Sequence, residues 1–216
     1  MRITADTVRA ALLGMPERPS PWTSLLDETS RDAAVAIPIR FSPEPVAMAI
    51  LRSSVLREHP GQVAFPGGKV DPTDQDLFAT ALREMDEEVG LTLGRSSLLG
   101  RLTPLPTYNG RYLIHPYVVE MSGEQEPSAR SDETERILPL PLIPYLRGEQ
   151  RVHGAMIAYQ GLELLTPHFP LDGCVLFGAT AVIFYELCER LAATLGVTMP
   201  PVILQAEPPW RDRLPV

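Results

Sequence analysis

The stretch FPGGKVDPTDQDLFATALREMDEEVGL, residues 65–91, is the part of the sequence that decides the fold. A short β-prone run leads into a Pro-Gly-Gly turn, and the apolar spacing beyond it predicts a helix over residues 74–90. At about 100° per residue, Glu84, Glu87 and Glu88 lie within about 100° of one another on this helix. They border its apolar face, so the sequence predicts carboxylates gathered beside the core.

Such a group of like charges is unfavourable by itself. Carboxylates at i and i+4 destabilise a helix by about 0.2–0.5 kcal/mol per pair, and carboxylates near the helix C-terminus oppose its dipole. Arg83, four residues before Glu87, offsets only part of this cost. A divalent cation would offset more of it, and Mg²⁺ favours carboxylate oxygens while keeping positions for water and phosphate. A solvated acidic face is the alternative that these residues leave open.

The composition indicates an ordinary globular protein. The chain has 216 residues, of which 44% are hydrophobic, and a net charge of −8. An acidic balance argues against sequence-independent binding of nucleic acid, which needs a basic surface. The sequence lacks an apolar run long enough for a membrane span and the apolar core of a signal peptide, so we expect a cytoplasmic protein. Cys174 and Cys188 fall in one apolar segment, expected to be helical, and are expected to be reduced.

The order of predicted elements indicates a mixed α/β (α+β) domain. A short helix is expected over residues 4–13 and a second long helix from the segment VLFGATAV to Gly196, with a proline-rich tail after it. A hairpin is expected to turn at Gln160 and Gly161. Further strands are expected at 33–39, 46–52, 63–65, 98–106 and 111–121.

The predicted helix resembles the second half of the Nudix box, G-x5-E-x7-R-E-U-x-E-E-x-G-U, in which U is aliphatic. The first half departs from this pattern, because Asp74 rather than Glu stands six residues after Gly68. The resemblance implies a Nudix fold, a mixed β-sheet sandwiched between helices, and hydrolysis of nucleoside diphosphate derivatives with Mg²⁺ or Mn²⁺. The matching residues are Arg83, Glu84, Met85, Glu87, Glu88, Gly90 and Leu91.

A second resemblance narrows the substrate. The segment AILRSSVLREHPGQVAFPGG, residues 49–68, resembles the signature L-L-x-x-R-S-x-x-L-R-x-H-x-G-Q-V-x-F-P-G-G of coenzyme A pyrophosphatases. That subgroup also carries the Asp and the additional residue seen in GGKVDPTDQDLFATALRE. Its later segments resemble DETERILPLPL and LFGATAVI, with Thr134 in place of Val and Phe177 in place of Trp. The resemblance covers residues 33–192 and treats 1–216 as one domain. It implies cleavage of coenzyme A, or its derivatives, to 3′,5′-ADP and 4′-phosphopantetheine.

The resemblance implies roles for residues of the helix and of a later loop. Glu84, Glu87 and Glu88 would be the metal ligands, and Arg83 would orient them through charge-assisted hydrogen bonds. One of these glutamates, or Glu133 in the acidic turn before ILPLPL, would act as general base. A structural salt bridge for Arg83 and a solvated turn for Glu133 are the alternatives.

Residues before the helix would bind the anionic substrate. Gly67 and Gly68 would let the backbone approach phosphate or adopt positive φ, and a tight turn is the alternative. An acidic protein needs local cations for a substrate with several phosphates. The candidates are Arg52, Arg57, His59 and Lys69, each of which an exposed surface position would also explain.

Three functions stay open on the sequence. The first is the coenzyme A pyrophosphatase, and the second is a Nudix hydrolase of NADH, ADP-ribose or a (d)NTP. The third is a non-catalytic, nucleotide-binding Nudix module, against which the intact R-E-x-x-E-E segment argues. The expected partner is a small nucleotide, without nucleic acid or membrane. A homodimer through the VLFGATAVIFYEL helix is left open, although the core is the favoured place for that helix.

Overall fold

Helices and strands alternate along residues 1–13, 21–56, 58–121, 125–159 and 161–210, which are the residues that the computed structural model describes. The helices are α1 Ala5–Leu12, α2 Leu77–Val89, α3 Leu142–Arg147 and α4 Gly178–Leu195. The strands are β1 Arg31–Arg40, β2 Val46–Arg52, β3 Val63–Ala64, β4 Gly67–Lys69, β5 Leu98–Arg101, β6 Leu105–Pro106, β7 Tyr112–Glu120, β8 Thr134–Pro141, β9 His153–Tyr159, β10 Leu162–Leu171, β11 Cys174–Leu176 and β12 Ile203–Gln205.

The larger sheet is mixed and has the order β3-β2-β1-β7-β5, with β8 on β2, β4 on β1 and β6 on β7. Strands β1 and β7 are parallel, from Arg31 opposite Tyr112 to Ile39 opposite Glu120. The other pairs of this sheet are antiparallel. Parallel pairing needs both faces of a sheet to be covered, which explains the nearly continuous apolar run of β1.

Helices cover this sheet on both faces, as the sequence predicted. On one face Phe78, Ala81 and Met85 of α2 pack against Ala34 and Ala36 of β1. On the other face, the opposite side chains of β1 pack with α1 and α4. The apolar residues of α4 are therefore in the core. No helix in the described ranges is long and apolar enough to cross a membrane.

The smaller sheet has the order β11-β10-β9-β12 and uses the C-terminal tail. Strands β9 and β10 form the expected hairpin, although Gln160 lies outside the described residues. Strand β12 pairs in parallel with β9, and Gln205 bonds His168 and His153 at 2.9 and 2.8 Å. Trp210 is buried and stacks on Phe177, with ring centroids 4.8 Å apart. The described part of the proline-rich tail, to Trp210, thus packs on the smaller sheet and on Phe177.

Two predicted elements begin later than the sequence suggested. Helix α2 starts at Leu77 rather than at residue 74, because Asp76 is the N-cap and accepts a hydrogen bond from Ala79 N at 2.8 Å. Helix α4 starts at Gly178, so Cys174 belongs to strand β11 and only Cys188 is helical. The two thiols are not joined in a disulfide.

The prediction of a Pro-Gly-Gly turn is wrong. Gly67 and Gly68 form strand β4, opposite Val35 and Ala34 of β1, and neither has a positive φ. A Cβ at Gly67 would meet the backbone of β1, and a Cβ at Gly68 would meet the carboxylate end of the Glu84 side chain. These glycines allow close approach rather than an unusual backbone conformation.

Candidate active site

Helix α2 carries the predicted acidic residues along the edge of its buried face. The C-cap Gly90 has a left-handed conformation with a φ of 68° and ends the helix directly after the last glutamates. Exposure differs strongly within the group, from 6% for the Glu88 side chain to 18% for Glu84 and 57% for Glu87. The predicted helix periodicity is therefore confirmed, and it buries one carboxylate almost completely.

Glu88 connects the helix with the strand before it and with the end of β2. One of its oxygens accepts a hydrogen bond from Gly67 N at 3.0 Å, and the other lies 3.7 Å from the guanidinium of Arg52. Burial raises the pKa of Glu88 to about 7, although Gly67 and Arg52 favour the ionised form. The carboxylate is therefore held where its charge is poorly solvated.

Glu84 lies against the backbone of β4. Its carboxylate packs on Gly68 and accepts a hydrogen bond from Arg83 at 3.0 Å. Burial raises the pKa of Glu84, the bond from Arg83 opposes this, and the charges of Glu87 and Glu133 add to the increase. A cation at this place would remove the repulsion that these carboxylates share.

Arg83 holds the helix to the segment that precedes it. Its Nε and Nη2 atoms donate to Asp74, each at 3.1 Å, and its Nη1 donates to Glu84 and to Glu87 at 3.0 and 3.2 Å. A further bond reaches the carbonyl of Lys69 at 3.1 Å. The bond from Arg83 lowers the pKa of Asp74 to about 2. These contacts are those expected of a residue that orients the glutamates.

Asp74 is the residue whose role the sequence did not reveal. It was expected to begin the helix, but its side chain is 5% exposed and forms an ion pair with Arg83. It also accepts hydrogen bonds from Asp71 N and from the hydroxyl of Thr80, at 2.9 and 2.8 Å. The departure from the Nudix box at this position was the available signal.

Arg52 brings Glu133 to the edge of the site. The strand register shifts between Leu51 and Arg52, where β2 leaves β8. The guanidinium of Arg52 donates to Glu133 at 3.3 Å, and the carbonyl of Glu133 accepts a bond from Ser53 N at 2.7 Å. Glu133 is thus fixed beside the helix carboxylates, although it belongs to another segment.

The other residues predicted to bind substrate are His59, Arg57 and Lys69. The loop after β2 folds back on Arg52, whose backbone bonds Gln62 O and Gly61 N at 2.9 and 3.1 Å. In that loop, His59 has a φ of 55° and its Nδ1 lies 3.1 Å from the side-chain oxygen of Gln62. Arg57 lies outside the described residues. The ammonium of Lys69 lies over the ring of Tyr112, 5.6 Å from its centroid.

Two arginines hold four carboxylates in this arrangement. Arg83 contacts Glu84 and Glu87, while Arg52 contacts Glu88 and Glu133. Across the residues that the structure describes, no three acidic, histidine or cysteine side chains stand in a metal-holding group. The donors are nevertheless carboxylate oxygens in negative excess, which is the chemistry that suits a hard divalent cation.

The two glycines of β4 should respond differently to substitution. We expect Gly67→Ala to lower stability by roughly 1–3 kcal/mol, since its Cβ meets the backbone of β1, which cannot move easily. Gly68→Ala should unfold at nearly the wild-type urea concentration but lose most activity, because its Cβ displaces the flexible end of Glu84. Urea unfolding and turnover of both variants check this. If both variants lost the same stability, the different surroundings described for Gly67 and Gly68 would be wrong.

The comparisons with known proteins identify the family of this chain. Residues 30–157 match the NUDIX domain. A relative in Photorhabdus laumondii, named "Uncharacterized Nudix hydrolase NudL", is 33% identical over 187 residues, which cover 87% of this chain and 97% of the relative. Its namesake in Yersinia pestis (strain Pestoides F) is 34% identical over 180 residues, covering 83% and 89%.

Two solved structures share the fold at low sequence identity. The NUDIX domain of Shewanella oneidensis NrtR, complexed with ADP ribose, has a TM-score of 0.53 at 16% identity and covers 81% of this chain and 94% of that one. A MutT/nudix family protein from Enterococcus faecalis has a TM-score of 0.53 at 15% identity, covering 84% and 71%. Taken with the domain match and the two relatives, they lead to one conclusion: the chain belongs to the Nudix hydrolase family.

Proposed function

We propose that this Nudix hydrolase cleaves the diphosphate of coenzyme A, or of a coenzyme A derivative, to 3′,5′-ADP and a 4′-phosphopantetheine product. One observation supports this substrate most strongly. The segment that resembles the coenzyme A signature meets the Nudix helix at Glu88, whose two carboxylate oxygens face Gly67 and Arg52. This contact supports our placing of a diphosphate site between the signature segment and α2.

We assign substrate binding to the cations around the carboxylate group. Coenzyme A carries a 3′-phosphate in addition to its diphosphate, and a protein with a net charge of −8 needs local positive charge to bind it. Arg52 and His59 belong to β2 and to the loop after it, and Lys69 ends β4. We include Arg57 in the set on its sequence position alone.

We assign the metal site to Glu84, Glu87 and Glu88, with Mg²⁺ or Mn²⁺ as the ion. Nudix hydrolases generally use divalent metal ions, and the carboxylate donors of α2 fit such an ion. An ion held by these residues would supply positive charge for the diphosphate and would lower the pKa of a bound water. The protein's own contribution is orientation, because Arg83 and the backbone of β4 fix the glutamates.

Glu133 is our candidate for the general base. Its side chain is 55% exposed, so it can accept a proton from water and release it to solvent. Its backbone bond to Ser53 keeps it at the site when its side chain moves. We also assign substrate contact to the backbone of Gly67 and Gly68, since Gly67 N bonds Glu88 and Gly68 lies against Glu84.

We treat residues 1–216 as one Nudix domain with two additions. Helix α1 contributes Val8 and Ala11 to the same core as α4, and strand β12 completes the smaller sheet. Both additions are therefore packed on the domain that carries the site. A homodimer stays a prediction from the sequence.

A substrate panel tests the proposed function. The purified protein is incubated with Mg²⁺ and with coenzyme A, NADH, ADP-ribose or dNTPs, and the products are identified by mass. We expect 4′-phosphopantetheine from coenzyme A to be the dominant product. Dominant turnover of another compound would assign a different nucleotide substrate. Binding without turnover across the panel would instead indicate a non-catalytic module.

A further inference from the structure

Arg52 occupies an unusual place for a substrate-binding residue. Its side chain is 20% exposed and turns away from solvent, toward the nearly buried Glu88 and toward Glu133. The side chains of β2 alternate between the two faces of the sheet. Met48 and Ile50 pack on the face that α2 covers, and Arg52, two residues further, lies on the same face. Its direction is therefore determined by the strand and not by a mobile loop.

The contacts of Arg52 are incomplete. Its nearer contact to Glu88 is 3.7 Å, which is an ion pair without a hydrogen bond, and the bond to Glu133 is 3.3 Å. Its Nε is buried and has no hydrogen-bond partner among the described residues. Arg83, in contrast, donates five hydrogen bonds at 3.0–3.2 Å. Of these two arginines, Arg52 is therefore the one that can leave its carboxylates at low cost.

We propose that Arg52 acts as an exchangeable counter-ion. It neutralises Glu88 and Glu133 until a divalent cation takes over that charge, and the released guanidinium then turns to an anionic oxygen of the substrate. Binding of the cation and binding of the substrate are thereby coupled through one side chain. This inference rests on the proposed metal site and deepens the proposed function.

The change in Mn²⁺ affinity on removal of Arg52 distinguishes an exchangeable counter-ion from a purely structural residue. Removing a competing positive charge favours binding of a cation to the carboxylates that the charge had held. We therefore expect Arg52→Gln to bind Mn²⁺ about fivefold more tightly than the wild type, in the absence of nucleotide. If Arg52 only held Glu88 and Glu133 in place, its loss would weaken Mn²⁺ binding instead.

The experiment is a titration of the full chain with Mn²⁺, followed by electron paramagnetic resonance of the free ion. Arg52→Lys keeps one charge and should bind Mn²⁺ with nearly wild-type affinity. The matched control is Arg40→Gln, because Arg40 also ends a strand of the sheet and forms an ion pair, with Glu126 at 2.9 Å, that involves none of the proposed metal ligands. It should leave Mn²⁺ affinity unchanged. Unfolding midpoints establish that each variant is folded, and Arg52→Met, which also removes the charge and should also bind Mn²⁺ more tightly, decides if the glutamine variant does not fold.

A second measurement tests the substrate half of the inference. With the nucleotide that the panel identifies, Arg52→Gln should raise KM about tenfold at saturating Mg²⁺, with a smaller change in kcat, and lysine should restore part of the loss. Unchanged or weaker Mn²⁺ binding by Arg52→Gln, or absence of Mn²⁺ binding by the wild type, would overturn the inference. Failure of the coenzyme A assay with tighter Mn²⁺ binding would overturn only the proposed substrate.

Discussion

Replacing Glu88 by Gln should lower turnover by about 100-fold or more and leave the fold intact. Glutamine keeps the size of the side chain and can still accept the hydrogen bond from Gly67 N, but it removes the charge that a divalent cation needs. Mutating a residue that only supports a metal ligand typically lowers metal affinity or activity by about 10–100-fold. Mutating a direct ligand should therefore lower turnover by at least as much. Initial rates at saturating Mg²⁺ and urea unfolding measure the two effects.

The same substitution at Glu87 provides a comparison within the site. Glu87 is exposed and, among the described residues, its side chain bonds Arg83, so Glu87→Gln should not affect stability and should also lower turnover strongly. Asp86 directly precedes Glu87 in sequence and contacts Thr92 instead, at 2.7 Å, so Asp86→Asn is the matched control. If Glu88→Gln retained wild-type turnover, the assignment of the metal site to α2 would be wrong.

Breaking the buried ion pair of α4 should have the largest effect on stability. Arg190 and Glu186 are 3% and 9% exposed and lie 2.6 Å apart, and Glu186 also accepts a bond from the hydroxyl of Thr103 at 2.7 Å. Arg190→Gln leaves the charge of Glu186 buried without its partner. We expect a loss of about 3–5 kcal/mol, which corresponds to a melting temperature lowered by roughly 10 °C for a domain of this size.

A double variant separates the charge from the packing. Glu186→Gln combined with Arg190→Gln removes both charges, so it should be more stable than Arg190→Gln alone. Arg147→Gln is the exposed control, since Arg147 and Glu149 are half-exposed and lie 3.6 Å apart. Urea unfolding of the four proteins tests this. A double variant that is as unstable as the single variant would show that packing rather than charge is responsible.

The sequence was sufficient where neighbouring residues determine the structure. The 3.6-residue period placed Glu84 and Glu88 beside the buried face of α2, because helix geometry alone fixes that relation. Strands β1 and β2 and the hairpin of β9 and β10 were also predicted, because short apolar runs and turn residues are local patterns. The Nudix fold followed from the resemblance, and the domain match and the shared folds agree with it.

The sequence was insufficient where distant residues compete for one position. Asp74 and Asp76 are equally good N-caps by type, and Asp76 became the cap because Asp74 is engaged by Arg83. Glycine is a poor strand former, so the β4 strand could not be predicted without the close approach of β1. The contact of Arg52 with Glu133 spans 81 residues, and no local pattern indicates it.

The position of the glutamates against a strand of the sheet has an evolutionary consequence. Glu84 and Glu88 rest on the backbone of β4, which is itself bonded to β1, so the chemical half of the site is built on regular structure. Two of the four cations proposed for the substrate, Arg57 and His59, come from the sequence between β2 and β3. Insertions and exchanges in that segment would change which nucleotide is accepted without moving a carboxylate. A lineage of such proteins can therefore acquire new substrates while its catalytic helix stays the same.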